Sequence, residues 1–163
     1  MDDKQIIEYL RRSYSAVDGL WFMKVEEKHG LDEALDIDNE VWKVLPKIQA
    51  RLLKSFADME SGLEALLGCI TVKLTLDGFK FKTERDNDNS GFRVIIEQCP
   101  WFDLLAKSGR EHLSGKVGDK ICNTEYAVWA SEFGPDISFK LQDQICGSSR
   151  CCVLQFKSSG ITA

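Results

Sequence analysis

The spacing of apolar residues changes along this 163-residue chain, and the change constrains its fold more than any other feature. Up to about residue 60, apolar side chains recur every three or four positions, which is the repeat of an amphipathic helix. Further on they alternate with polar residues, as in Phe92, Val94 and Ile96, which is the repeat of a half-buried strand. The sequence therefore predicts an α+β fold: N-terminal helices followed by an antiparallel sheet of about four strands.

Two residues in the helical part predict where helices end. Gly30 predicts a left-handed cap at the end of the first helix, and Pro46 predicts a kink or a break in the run that follows. We expect residues 1–163 to form a single domain, in which residues 1–60 are the helical N-terminal part and residues 61–163 are the α+β part.

The second part is predicted to contain two hairpins with two helices between them. Residues 63–76 fit both a helix and a strand, and we favour a helix. Turn-forming residues at 86–91 and 146–150 each join two alternating segments, which indicates a β-hairpin at both places. One intervening helix covers residues 101–107, and Asp119 is the predicted N-cap of the other.

Charge and hydropathy exclude some classes of protein. The net charge of −5 argues against a nucleic-acid-binding protein, which should carry a basic face. The sequence has neither a signal-like apolar segment nor an apolar run long enough to span a membrane, so we expect no membrane partner. The expected location is therefore the cytoplasm, where thiols stay reduced.

Six cysteines are the main chemical signal in the sequence, and only Cys69 reads as a core residue. The other five fall at predicted ends of helices or strands: Cys99, Cys122, Cys146, Cys151 and Cys152. Thiolates gathered from element ends can bind zinc or an iron–sulfur cluster, and the sequence does not choose between these cofactors. Two alternatives stay open, which are a reactive thiol without metal and inert packing without any cofactor.

The geometry of such a site depends on topology. Cys122 is predicted in the first turn of its helix, where the helix dipole favours a thiolate. Cys99 and Cys146 both follow strands, so they meet if those strands run parallel and lie close together. Either Cys151 or Cys152 would complete the set. His112 is predicted in a loop and is a further candidate ligand.

A second group of residues is predicted at a ligand pocket. Glu26 and His29 share a helix face and match half of a di-iron motif, but the second half is missing. A polar helix end beside a small-molecule pocket is the functional interpretation, and a solvated helix end is the alternative. The candidate ligand-binding residues are Trp21, Glu26, His29, Trp101, Tyr126 and Trp129. The aromatic ones have core packing as their alternative role.

Several short segments also carry a resemblance to known families. They are Asp18–Phe22, Glu26–Gly30, Cys99–Pro100, Phe133–Pro135 and Cys152–Phe156. With these segments the chain resembles an uncharacterised prokaryotic family related to L-2-amino-thiazoline-4-carboxylic acid hydrolase, and also 4-vinyl reductase-type small-molecule-binding domains. The resemblance implies an α+β ligand-binding fold whose cysteines hold a metal. It does not carry the hydrolase activity over, because fold and function are separable.

The sequence thus favours a cytoplasmic protein that binds a small molecule beside a cysteine-lined site. A metal- or cluster-dependent enzyme, either hydrolase-like or redox, is one form of this function, and the sequence leaves catalysis open. The alternative is a non-catalytic module that binds a ligand or a protein, with structural cysteines. Its N-terminal helices would then be the surface of a homodimer.

Overall fold

The computed structural model describes residues 1–160 and confirms the α+β fold. The helices are α1 Asp3–His29, α2 Leu31–Trp42, α3 Leu45–Ala57, α4 Leu63–Asp77, α5 Pro100–Lys107 and α6 Ser114–Phe133. The strands are β1 Lys80–Arg85, β2 Gly91–Gln98, β3 Ile137–Asp143 and β4 Cys152–Ser158. Among the described residues, no helix is both long and apolar enough to cross a bilayer.

The chain divides into two compact units, of which the first ends at Val41 and the second begins at Trp42. Helix α3 belongs to the second unit, where Arg51 forms an ion pair with Glu132 of α6 at 2.8 Å. Lys54 of α3 also donates a hydrogen bond to the backbone carbonyl of Glu132 at 2.7 Å. The second unit therefore contains both helical and sheet elements, and it carries all six cysteines.

The helices end near the residues that the sequence predicted, but the cap at Gly30 differs in conformation. The Asp2 side chain accepts a hydrogen bond from the backbone N–H of Gln5 at 2.8 Å, which completes a capping box at the start of α1. Gly30 ends α1, but its φ of 89° and ψ of 167° are not the left-handed helical cap that we predicted. Pro46 lies in the first turn of α3, so the helical run is broken rather than kinked.

The sheet has the order β1-β2-β4-β3, and every neighbouring pair is antiparallel. Strands β2 and β3 consequently run in the same direction, with β4 between them. Phe92 of β2 lies opposite Phe156 of β4, and their ring centroids are 5.0 Å apart. These rings share one core with Trp129 and Phe133 of α6, and with Cys69 of α4, as predicted for that cysteine.

A buried ion pair connects α4 with α6. Lys73 Nζ lies 2.5 Å from Glu125 Oε1 and 3.1 Å from Asp77 Oδ2, and Lys73 is only 4% exposed. Burial by itself would lower the pKa of Lys73, but the charges of Glu125 and Asp77 raise it above its ordinary value. The ammonium also lies 5.6 Å from the ring centroids of Phe79 and Tyr126. Lys73 is thus a charged group that the core accepts only because its partners are present.

We expect Glu125→Gln to lower the free energy of unfolding by about 3 kcal/mol, because it removes one of two carboxylates from a buried ammonium. The measurement is urea denaturation at pH 7. Replacing both partners, as in Lys73→Met with Glu125→Leu, should recover most of the loss. Arg51→Gln breaks a pair in which the arginine is 67% exposed, and it should cost much less than Glu125→Gln. A loss in Glu125→Gln no larger than in Arg51→Gln would contradict this account.

Candidate functional site

The central strand pair brings two of the predicted cysteines to one end of the sheet. In the β2–β4 ladder, Ile96 lies opposite Cys152, the first residue of β4. Cys99 follows the end of β2 and is the N-cap residue of α5. Because the strands are antiparallel, the end of β2 and the start of β4 meet. Cys99 and Cys152 therefore occupy the same end of the sheet.

Cys146 reaches the same end through the connection between β3 and β4. β3 runs in the direction of β2 and ends at Asp143, and Cys146 follows in a short 3-10 turn, Ile145–Gly147. In this turn the backbone N–H of Ile145 donates a hydrogen bond to Cys152 Sγ at 3.2 Å. The sequence set two conditions for Cys99 and Cys146 to meet, that the strands before them run parallel and that they lie close together. β2 and β3 do run in the same direction, but they are not neighbours, because β4 lies between them.

Cys122 approaches from α6, but its place in that helix differs from the prediction. The helix begins at Ser114 rather than after Asp119, so Cys122 lies in the third turn and not in the first. The predicted support from the helix dipole, which acts within the first turn, is therefore wrong. Gly118, one turn earlier, makes room for the facing loop, because a Cβ there would lie 3.2 Å from Cys146 Sγ.

Burial and mutual repulsion define the electrostatics of these four residues, which we call the thiol group: Cys99, Cys122, Cys146 and Cys152. Burial raises the pKa of Cys99 to about 12 and that of Cys152 to about 11. Burial also raises the pKa of Cys122 well above its usual range, and that of Cys146 to a lesser degree.

The pKa values of Cys99, Cys122 and Cys152 are also raised by other members of the thiol group. The negative charges of Cys99, Cys146 and Cys152 each add to the rise in the pKa of Cys122, after burial and the charge of Glu125. Hydrogen bonds from backbone N–H groups at the start of α5 lower the pKa of Cys99 in part. A hydrogen bond with the Ser114 hydroxyl does the same for Cys146. The thiols are therefore neighbours that stay protonated at neutral pH.

This arrangement is not a coordination sphere as it stands. Within residues 1–160, no group of three or more His, Cys, Asp or Glu side chains is placed to hold a metal ion. Cys151 immediately precedes β4, whereas Cys152 shares the core-facing side of that strand with the buried residues Leu154 and Phe156. Strand alternation thus assigns Cys152, and not Cys151, to the thiol group.

An open cavity of about 470 Å³ gives access to one member of the thiol group. Its lining includes Cys146, His112, Glu111, Ser114 and Phe102. His112 lies in a short 3-10 turn, Glu111–Leu113, between α5 and α6. The sequence indicated His112 only as a loop residue with a minor ligand role, and the fold places it on the same cavity wall as Cys146.

Three of the aromatic residues predicted to bind a ligand pack against other parts of the protein. Tyr126 and Trp129 are buried in the core, with exposed fractions of 2% and 0%, and Trp129 stacks on Phe133. Trp101 is half-buried, and its ring meets that of Trp42 edge-on at 6.2 Å. The core role that the sequence left open as an alternative is the one that Tyr126 and Trp129 show.

The predicted residues of α1 lie in the first unit. Trp21 is 46% exposed, His29 is exposed, and Glu26 is half-buried. The backbone carbonyl of Glu26 accepts the capping hydrogen bond from the N–H of Gly30 at 2.8 Å. A ligand role for these three side chains stays a prediction.

Sequence reasoning missed the buried charges beside the thiol group. Glu125 lies one turn after Cys122, and its charge is the largest influence after burial on the pKa of that thiol. Burial raises the pKa of Glu125 itself, although Lys73 opposes the rise. Lys73 is the only charged residue between Glu64 and Asp77 in an otherwise apolar helix, and this pattern was the available signal.

We expect the metal-free protein to lose stability as the pH rises from about 9 to about 12. The folded-state pKa of Cys99 is about 12 against an ordinary 9.0, so in this window the unfolded chain binds fewer protons than the folded chain. The contribution of Cys99 to the free energy of unfolding is complete below pH 9 and is lost progressively between pH 9 and about pH 12. Thermal unfolding across this range measures the effect. Cys99→Ala should lower the slope with pH, whereas Cys151→Ala should not; equal slopes in both variants would exclude the explanation.

Comparison with known proteins gives one assignment. No curated protein and no solved structure matches the chain at a significant level. The sequence profile of a family of unknown function, DUF6125, matches residues 2–146. The match includes Cys99, Cys122 and Cys146 and ends before Cys151 and Cys152. The chain therefore belongs to this family of unknown function, DUF6125.

Proposed function

We propose that the thiol group binds a soft metal centre, either zinc or an iron–sulfur cluster, at the inner wall of a small-molecule pocket. One observation supports this most directly: four separate segments each supply one thiol to the same end of the sheet. Cysteines that act only as small apolar residues can be distributed over a core, as Cys69 is. Their collection at one end is the pattern expected of ligands.

The donor set fits such a centre in its chemistry. Four sulfur ligands in a tetrahedral arrangement suit zinc, and the same four can hold a cluster. Burial disfavours isolated thiolates, as the raised pKa values of Cys99 and Cys152 indicate. A cation removes that penalty, because it neutralises the charge where the charge forms. Ligation requires that the side chains rotate from their present positions and release their protons.

The cavity beside Cys146 supports a small-molecule ligand. Its volume of about 470 Å³ lies in the range of small-molecule pockets. His112 and Glu111 on its wall supply an imidazole and a carboxylate, which can form hydrogen bonds with a polar ligand and orient it. Zinc held by all four thiols would be structural, whereas zinc held by three of them, with its fourth position open to the pocket, would add Lewis-acid chemistry and a hydrolase-like function. A cluster would add electron transfer and a redox function.

The alternative function is a non-catalytic module that binds a ligand or a protein and uses its cysteines structurally. The protonated state of the thiols at neutral pH favours it, because protonated thiols pack like small apolar side chains. The family resemblances noted above, to L-2-amino-thiazoline-4-carboxylic acid hydrolase and to 4-vinyl reductase-type domains, favour the metal-binding form. The metal-binding function and the non-catalytic function both stay predictions.

Metal and sulfide analysis of the full chain, purified without oxygen, tests the proposal. We expect one zinc per chain, or iron with acid-labile sulfide and absorbance near 400 nm. Cys152→Ala should lower the affinity for the metal at least about 100-fold. Cys151→Ala is the matched control, because it changes the neighbouring cysteine outside the thiol group and should leave the affinity unchanged. Equal metal content in these two variants, or no metal in the wild type, would overturn the proposal.

For zinc, we also expect binding to release protons at neutral pH, since the pKa values of Cys99 and Cys152 lie near 12 and 11. The apparent affinity for Zn²⁺ should therefore rise with pH between 6 and 9. Isothermal calorimetry in two buffers of different ionisation enthalpy measures the number of protons released. Affinity that is independent of pH would mean that Zn²⁺ binds elsewhere, for example at exposed carboxylate groups.

A further inference from the structure

Cys146 differs from the rest of the thiol group because it lines the open cavity of about 470 Å³. The other three members belong to regular elements: Cys99 is the N-cap residue of α5, Cys122 lies within α6, and Cys152 begins β4. Cys146 lies instead in the short 3-10 turn between β3 and β4. The four thiols are therefore not equivalent, and Cys146 is the one that a molecule in the cavity can reach.

The sulfur of Cys146 also has a place of its own against α6. A Cβ at Gly118 would lie only 3.2 Å from Cys146 Sγ, so the sulfur occupies space that a side chain would otherwise fill. Ser114, which is 4% exposed and lies one turn earlier on the same helix face, forms a hydrogen bond with this thiol. We call this place, formed by Gly118 and Ser114, the α6 niche. A thiol in the α6 niche has both a packing partner and a hydrogen-bond partner without a metal.

The charges around the thiol group disfavour four thiolates at once. A Zn²⁺ ion with four thiolates is a dianion, whereas with three thiolates it is a monoanion. Besides burial, the carboxylates of Glu125 and Asp119 raise the pKa values of Cys122 and Cys146, respectively. Negative charge in a poorly solvated region that already contains carboxylates is costly. Release of one thiol from the metal therefore relieves part of this repulsion.

We propose that Cys146 is an exchangeable ligand of the metal centre, which leaves the metal for the α6 niche when a donor atom of a small molecule in the cavity takes its place. This inference rests on the proposed metal centre. In the exchange the bond from the metal to Cys146 Sγ breaks, a bond from the metal to the incoming donor forms, and the released thiolate takes up one proton from solvent. Cys99, Cys122 and Cys152 stay bound, which is the ligand number of a centre with one open position.

The cavity indicates the class of small molecule. A centre with three sulfur ligands is soft and favours a sulfur or nitrogen donor. His112 and Glu111 offer hydrogen bonds to polar groups of the ligand, and Phe102 and Ile145 offer apolar contact. The ligand is therefore a compact molecule that carries a thiol or a basic nitrogen together with polar substituents.

Co²⁺ added to the metal-free full chain tests the ligand roles, because each thiolate that binds Co²⁺ contributes charge-transfer absorbance in the near ultraviolet. Cys146→Ala should keep three thiolates, so the absorbance per bound Co²⁺ should fall by about a quarter and the affinity by less than about 10-fold. Cys152→Ala removes one of the three fixed ligands and should lower the affinity at least about 100-fold. Equal losses of affinity in the two variants, or equal absorbance in wild type and Cys146→Ala, would contradict the exchange.

Imidazole is the probe for the exchange itself. In the Co²⁺-loaded wild type it should remove about a quarter of the charge-transfer absorbance while the metal stays bound, since one thiolate leaves and a nitrogen enters. Gly118→Ala fills the α6 niche and should weaken imidazole binding several-fold, because Cys146 can no longer retreat there. Gly115→Ala is the matched control on the same helix: its Cβ would lie 3.4 Å from the backbone carbonyl oxygen of Cys146 and not at the thiol.

The failure of this inference and that of the metal centre give different results. A wild type that binds no Co²⁺ through thiolates would overturn both. A wild type that binds Co²⁺ but keeps its full absorbance in imidazole would overturn the exchange alone. The same holds for a Gly118→Ala variant that binds imidazole as tightly as Gly115→Ala does.

Discussion

The pairing of β2 with β4 is the constraint on which the second unit depends. The two strands are separated in sequence by α5, α6 and β3, yet they form the centre of the sheet. Their register stacks Phe92 on Phe156 and Val94 on Leu154 under α6, and it sets Ile96 opposite Cys152. A shift by one residue would turn Leu154 and Phe156 away from the core, so burial of these side chains enforces the register. The position of Cys152 beside the end of β2 is therefore a consequence of core packing.

Much of the fold could be predicted, because periodicity reports directly on which sides of an element are buried. The alternation in β2 and β4 and the break at Pro46 were sufficient for the order of elements. The start of α6 could not be predicted in this way. Asp119 is a favourable N-cap residue, and for that reason it was the predicted start of this helix. The helix begins earlier, at Ser114, and its residues Gly115 and Gly118 lie beside the loop that carries Cys146. Only at Gly118 would an added side chain be crowded.

The candidate site shows the same limit. The residue types predicted the thiols, but the choice between Cys151 and Cys152 needed the strand register, which depends on partners far away in sequence. Lys73 and Glu125 were missed because each lies in a separate helix and neither has a local motif. Their pairing places a salt bridge and a set of thiols in one poorly solvated region. Thiolates are unfavourable in such a region unless a positive charge lies beside them. A cation bound there would itself have to neutralise the thiolates that hold it.

Gly118 has a consequence for how this chain can change over evolutionary time. An alanine there would push Cys146 Sγ outward by a few tenths of an ångström, because its Cβ would be 3.2 Å from that sulfur. A larger side chain would displace the whole turn between β3 and β4. A residue larger than glycine therefore fits at 118 only if this turn shifts or if position 146 carries a smaller side chain. Loss of the cysteine at 146 would remove this constraint. A residue with a higher helix propensity could then replace Gly118 in α6, the longest helix of the second unit.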